Sequence, residues 1–291
     1  MVKKSYEDIV LDIIVYCFTG AVLLLVLIPI IHVASISVSD GMAVQKGEVV
    51  LFPKGFSLEA YKIIFGNKDL WNSYLNTIIY TVLGTLINLV MTTLCAYPLS
   101  RTHFQGRNFF TIMVVITMFF SGGMIPSYLV VYNLKMINTI WAIVLPGAIS
   151  TWNMIVMRTF FQSLPNELME SANIDGAGEW RVLVSVVLPL SKPIIATIVM
   201  FYTVGHWNSF FSAILYLSEK SRYPVQVILR NIVIAGEVTD QLAQMQSSSQ
   251  LVLAKTVKYA VMVVVMAPII CIYPFVQKHF VRGVMIGSLK G

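Results

Sequence analysis

Charge is what this sequence has least of. Only 12% of its 291 residues are Asp, Glu, Lys or Arg, against 57% hydrophobic, and mean hydropathy is +0.78. Soluble domains carry charge on about a quarter of their residues. A chain this poor in charge cannot cover a water-facing surface, so lipid must solvate much of it. In a soluble protein the net charge of +6 would suggest nucleic acid. Here the basic residues fall between apolar runs, which reads as membrane topology and leaves no role for a nucleic-acid partner.

Cysteine is scarce too. Cys17, Cys95 and Cys271 each lie inside an apolar run and form no Cys-x-x-Cys pair. Zinc and redox motifs are therefore not indicated, and small buried hydrophobes are the expected role. No Gly-x-x-x-x-Gly-Lys-Ser/Thr occurs, so the chain has no loop of its own to cradle ATP. His-Glu-x-x-His and Gly-x-Ser-x-Gly are absent as well, which disfavours an intramembrane enzyme. No metal site or cofactor is expected on this chain. The first apolar run exceeds a signal-peptide core and lacks a small-residue cleavage site after it.

What the chain has is uninterrupted apolar length. Six stretches contain no Asp, Glu, Lys or Arg: 13–39, 70–100, 108–134, 136–157, 193–218 and 259–277. A bilayer core needs about 20 helical residues, and backbone groups in lipid must be satisfied within the segment. The runs are continuous, not alternating, which argues against a β-barrel. The expectation is an all-α polytopic membrane protein with about six spans in one domain, 1–291. They lie near 13–37, 72–99, 109–132, 137–158, 193–217 and 257–277, with outer loops 38–70 and 218–256. Pro29, Pro98, Pro126, Pro146, Pro268 and Pro274 mark helix ends or kinks. Lys3 and Lys4 before the first run, Arg101 and Arg107 after the second, and Lys278, Arg282 and Lys290 after the last favour cytoplasmic termini. Lys46, Lys54, Lys62 and Lys68 oppose that, and the twenty basic residues divide evenly between the two sides.

The connection 160–190 is the richest in signals. Pro165 suits a first helical turn, and Glu167 and Glu170 suit the positive end of a helix. Leu168, Ser171 and Ala172 give a narrow face, and Gly176 can stop the helix in a left-handed conformation. A second helix can follow from about Glu179 to Leu188, with Trp180, Leu183, Val184 and Val187 on one side, before Pro189 and Pro193. Such a helix-turn-helix is either a connector lying on the membrane surface or a docking element for a soluble partner.

The run Glu170-Ser-Ala-Asn-Ile-Asp-Gly-Ala177, followed by Leu188-Pro189 and Pro193, resembles the "EAA" loop of ABC importer permeases. Ser171 replaces the usual first Ala, and Leu183 stands where Phe is frequent. Asn72-Ser-Tyr-Leu-Asn-Thr-Ile, Gly122-Gly-Met-Ile-Pro-Ser-Tyr, the segment Asn138 to Pro146, Trp207-Asn208 and the tail Tyr273 to Gly291 are similar to the carbohydrate-uptake branch. Within it they resemble permeases for oligosaccharides, including aldouronates and pectin fragments.

The resemblance implies that Glu170, Ser171, Ala172, Asp175, Gly176, Ala177, Leu188 and Pro189 form a coupling loop. The helix from about Glu167 to Asn173 would seat in a cytoplasmic ATPase. Glu170 would face a basic residue, Ala172 and Gly176 would permit close approach, and Asp175 would brace the turn. It also implies a multi-pass protein of the bacterial cytoplasmic membrane. Its partners would be a second permease, two ATPase subunits holding ATP and Mg, and an extracellular solute-binding protein meeting the outer loop 219–258. Asn153, Tyr202, His206, Trp207, Asn208 and Phe211 are candidates for a sugar path, because aromatic faces, amides and hydroxyls hold carbohydrates. Packing is the alternative role for them. His32 and His206 are the ionisable groups well inside runs, where polar groups are costly. The rival function is an ion-coupled secondary transporter, disfavoured by the lack of acidic residues in the runs.

Overall fold

The structure, a computed structural model, describes residues 5–235 and 253–271. The tail resemblance at 273–291, the end of the sixth expected span and the middle of the outer loop 218–256 lie outside the described residues. Those described are helical, joined by turns and one isolated bridge between Ser39 and Phe56. They fall into two compact units, one within Met1–Leu70 and Leu229–Ala267, the other within Trp71–Ile228 and Pro268–Gly291.

In the first unit, helix α1 (Tyr6–Ser37) has no buried residue in its most apolar window. A helix apolar all round and uncovered by protein is one whose solvent is lipid. Glu7 and Asp8 sit at its positive end, where the Asp8 carboxylate accepts the Ser5 N–H at 2.9 Å. The following turn is held by hydroxyls. Ser39 Oγ donates to the Ser35 carbonyl at 2.6 Å and accepts the Lys54 N–H at 3.2 Å, and Ser35 Oγ donates to Leu51 O at 2.6 Å. Asp40 caps the short helix α2 (Gly41–Gln45), and α3 (Glu59–Gly66) follows. His32 needs no functional partner, since its Nδ1 lies 2.5 Å from the Val50 carbonyl and its ring meets Tyr259 edge-on. Tyr259 belongs to the last described helix, Leu253–Cys271.

The second unit is organised on α4 (Lys68–Ser100). Ser73, Thr77, Thr81, Thr85, Asn88 and Thr92 recur at three- and four-residue spacing and are all buried. Small polar groups on one helix face allow close packing and hydrogen bonds between spans. The apolar core of this unit gathers Ala96, Met154, Met157, Phe161, Val187 and Ile198.

Two apolar stretches are divided. Residues 108–134 form α5 (Arg107–Phe119) and α6 (Met124–Asn133), bent by 114°. The break carries Ser121, Gly122 and Gly123, and Gly123 takes φ +84, which glycine adopts without steric cost. Residues 136–157 hold α7 (Trp141–Val144) and the start of α8 (Thr151–Gln162), separated by Pro146 and Gly147. Among the described residues, three helices can cross a membrane singly by length and composition: Tyr6–Ser37, Lys68–Ser100 and Leu253–Cys271. The number rises to five if each bent pair is one span.

Candidate functional site

Helix α9 (Asn166–Ile174) occupies the first half of the 160–190 connection. Pro165 precedes it and Glu167 lies in its first turn. It ends in a glycine-terminated turn of the Schellman type. Gly176 takes φ +80 and its N–H bonds Asn173 O at 3.0 Å, while the Ala177 N–H bonds Ala172 O at 2.9 Å. Ala172 and Ala177, which flank the turn, both pack on the apolar core. Asp175 acts through its backbone, as the residue ending the helix, and its side chain is exposed.

One residue of α9, Met169, is buried. Glu167, Leu168, Glu170, Ser171, Asn173 and Ile174 are exposed, and Ile174 keeps 87% of its surface open. After the turn, α10 (Glu179–Leu190) exposes Trp180 and buries Val182, Leu183 and Val187. Leu188 packs on the core and Pro189 is exposed. The Leu188 N–H reaches back five residues to Leu183 O, a π-turn just ahead of Pro189, which has no N–H to continue the ladder. The chain then bends by 84° into α11 (Lys192–Trp207).

Arg101, Tyr97, His103 and Glu179, none of them a site candidate from the sequence, hold this loop. Arg101, at the end of α4, is only 8% exposed. Its Nη2 donates to Phe161 O at 2.8 Å, its Nε to Ser100 Oγ at 2.9 Å and its Nη1 to Met169 Sδ. Its guanidinium stacks 5.3 Å from the Tyr97 ring centroid. Burial lowers its pKa, and Tyr97 and Glu179 act in the opposite direction. Tyr97 Oη donates to Glu179 Oε2 at 2.6 Å, and His103 Nε2 lies 3.2 Å from Glu179 Oε1. Arg158 Nε donates to Leu99 O at 2.8 Å, a further tie between α8 and α4. Arg101 and Tyr97 stand one helical turn apart, and that spacing was the available signal. Nothing local pointed to Glu179 as the partner of Tyr97. Beside them, a cavity of about 240 Å³ is lined by Arg107, Asn166, Glu170 and Asn173 among others.

The candidate sugar-path residues divide. Asn153, Tyr202 and Trp207 are buried. Tyr202 Oη lies 2.6 Å from Thr92 Oγ1 and accepts the Ser150 N–H at 3.0 Å, and Trp207 packs edge-on against Tyr74. Half-buried His206 places Nε2 3.1 Å from Asn88 Oδ1, and Asn88 Nδ2 donates to Gly147 O at 2.8 Å. Asn208 is exposed and accepts from Gln226 Nε2 at 3.3 Å, and Phe211 is exposed. Tyr202 and Trp207 thus have packing partners and Asn153 is buried, while Asn208, Phe211 and part of His206 remain open. Among the described residues no three His, Cys, Asp or Glu side chains converge as a metal ion would require.

The start of the 218–256 segment is a polar knot. Glu219 accepts Asn138 Nδ2 at 2.6 Å and Arg222 Nε at 2.9 Å. Asn76 Nδ2 and Tyr80 Oη donate to the carbonyls of Ser221 and Arg222 at 2.7 and 2.9 Å. Asn138 sits at φ +59, a conformation that asparagine tolerates better than most residues.

The family described as binding-protein-dependent transport system inner membrane component matches residues 8–286. The chain is 42% identical to the polygalacturonan/rhamnogalacturonan transport system permease protein YtcP of Bacillus subtilis, covering 96% of this chain and 98% of that one. It is 41% identical to Protein LplC of the same organism, covering 97% and 95%. Its fold matches a chain in the crystal structure of a bacterial ABC transporter involved in the import of the acidic polysaccharide alginate. There the TM-score is 0.90 and identity 34%, over 96% of this chain and all of that one. The chain therefore belongs to the binding-protein-dependent inner membrane components, the permease subunits of ABC importers, and is a transport protein rather than an enzyme.

Proposed function

We propose that this permease passes an acidic, uronate-containing oligosaccharide across the cytoplasmic membrane, handed over by an external binding protein and driven by ATP hydrolysis on separate subunits. The observation that carries the docking half of this reading is the two-sidedness of α9. Met169 anchors it inward while Leu168, Glu170, Ser171 and Ile174 are left open outward. An exposed face that sets Leu168 and Ile174 among the carboxylates of Glu167 and Glu170 fits a groove on a soluble protein. The substrate class is supported by two similarities, to a pectin-related permease and to an alginate importer.

The assembly that follows contains a second permease, two ATPase subunits holding ATP and Mg, and the binding protein. The chain forms one transmembrane domain with six crossings and both termini in the cytoplasm. Glu170, Ser171, Ala172, Asp175, Gly176 and Ala177 form the docking turn, with Leu188 and Pro189 fixing its distal arm. Asn208, Phe211 and His206 are the members of the sugar-path set open enough to meet a substrate. Transport proceeds by rigid-body switching between inward- and outward-facing states.

The test is purification of the tagged protein from native membranes in mild detergent, with uptake of oligogalacturonates measured in the same cells. Recovery of an ATPase and a second permease, with ATP-dependent uptake, is the expected result. Recovery of the chain alone, with uptake that collapses with the ion gradient and not with ATP, would establish an ion-coupled transporter instead.

A further inference from the structure

We propose that Tyr97, Arg101 and Glu179 are positioning residues that make the docking loop and the end of α4 move as one body, so that motion of the loop reaches the second and fifth spans. The inference rests on the docking reading of 160–190 and goes beyond it by naming the route.

Three separate pieces of chain are tied to the last turn of α4 by different bonds. Arg101 holds the C-terminal carbonyl end of α8 through Phe161 O, and holds α9 through Met169. Cations are stabilised at helix C-termini, which favours the first of these. Tyr97 holds the start of α10 through the Glu179 carboxylate, with His103 on that carboxylate's other oxygen. Without these ties α9 would be weakly attached, since nine residues bury one side chain.

The bonds are directional and one partner is a buried charge. If the loop moved away from α4, Arg101 would lose Phe161 O and Met169 Sδ and keep only Ser100 Oγ, and breaking the partners of a buried charge is costly. Moving loop and helix end together avoids that cost.

From α4 the path continues along its buried polar face. Thr85 and Thr203 hydroxyls lie 3.4 Å apart, Asn88 meets His206 at 3.1 Å and Thr92 meets Tyr202 at 2.6 Å. These three contacts join α4 to α11 along two helical turns. A displacement at Glu179 is thereby delivered to the helix that carries His206 and leads directly into Asn208.

The experiment uses the complete importer with a fluorophore on Leu75→Cys, an exposed site at the far end of α4, and the native cysteines replaced. The label signal is compared between the nucleotide-free complex and the complex trapped with ATP and vanadate. Tyr97→Phe and Glu179→Ala are expected to retain the ATPase subunits and to hydrolyse ATP. Their equilibrium between the two signals shifts about tenfold toward the nucleotide-free one, the size of one charge-assisted hydrogen bond. Glu179→Gln, which still accepts from Tyr97, restores most of the change. A wild-type label response in both variants overturns the inference. Loss of the ATPase subunits from both also overturns it, because the residues then build the docking surface and do not transmit through it. A wild-type chain that recovers no ATPase at all defeats the docking reading itself, and so separates the two failures.

Discussion

The imidazole of His206 lies against Gly84. A β-carbon at position 84 would stand 2.5 Å from both Cε1 and Nε2 of the ring. Glycine is required there by the neighbour and not by its own backbone. Gly84→Ala is expected to destabilise the protein by about 1–3 kcal/mol, the usual cost of overpacking. Gly84→Ala combined with His206→Ala recovers most of that loss, because the obstructing ring is gone. Thermal aggregation of the four proteins in detergent checks the coupling, and additive losses would show that ring and glycine do not meet.

What the sequence made legible was whatever a single residue or run could declare by itself. Charge-free stretches announce their solvent, and Gly176 announces a left-handed turn because a side chain there is strained. The break at 120–123 was harder, since apolar content is high on both sides of it and says nothing of direction. Gly122 and Gly123 were its only mark. The hold of Tyr97 on Glu179 could not be read, because it joins positions 82 residues apart. Tyr202 is ambiguous for a related reason. An aromatic ring with a hydroxyl suits a sugar and a buried hydrogen-bond junction equally well, and only its neighbours decide which.

Gly176 separates folding from docking. A Cβ at this position would meet nothing within 4 Å, so the penalty of any side chain is the left-handed backbone, about 1–2 kcal/mol. Gly176→Ala and Gly176→Arg should therefore lower the stability of the chain alone by similar amounts. Only Gly176→Arg, whose bulk and charge project from the turn proposed to dock, should abolish recovery of the ATPase in affinity purification. Equal recovery from both variants would place the turn outside the interface.

The polar knot at the start of the 218–256 segment should respond to acid. Hydrogen bonds from Arg222 and Asn138 lower the Glu219 pKa below its ordinary value of 4.5. A carboxylate depressed in the folded state contributes stability that is complete above the unfolded pKa and is lost as pH falls through the folded one. Glu219 is solvent-exposed, so the effect is local. Amide exchange across 218–223 should quicken, relative to the intrinsic rate, as pH drops below about 4.5, and Glu219→Gln should remove that dependence.

Tyr202→Phe distinguishes a packing role from a sugar-binding one. The Tyr202 hydroxyl joins Thr92 of α4 to the Ser150 N–H at the start of α8, and the residue is only 6% exposed. Removing the oxygen leaves a part-buried N–H without its acceptor, at a cost of about 1 kcal/mol. Stability in detergent should fall by that amount, while competition among oligosaccharides of different length for uptake stays in the wild-type order. Asn208→Ala should behave in the opposite way. Its side chain is exposed and its bond to Gln226 is long, so stability should hold while the order of preference changes. A Tyr202→Phe protein that is fully stable but selects different oligosaccharides would return Tyr202 to the substrate path.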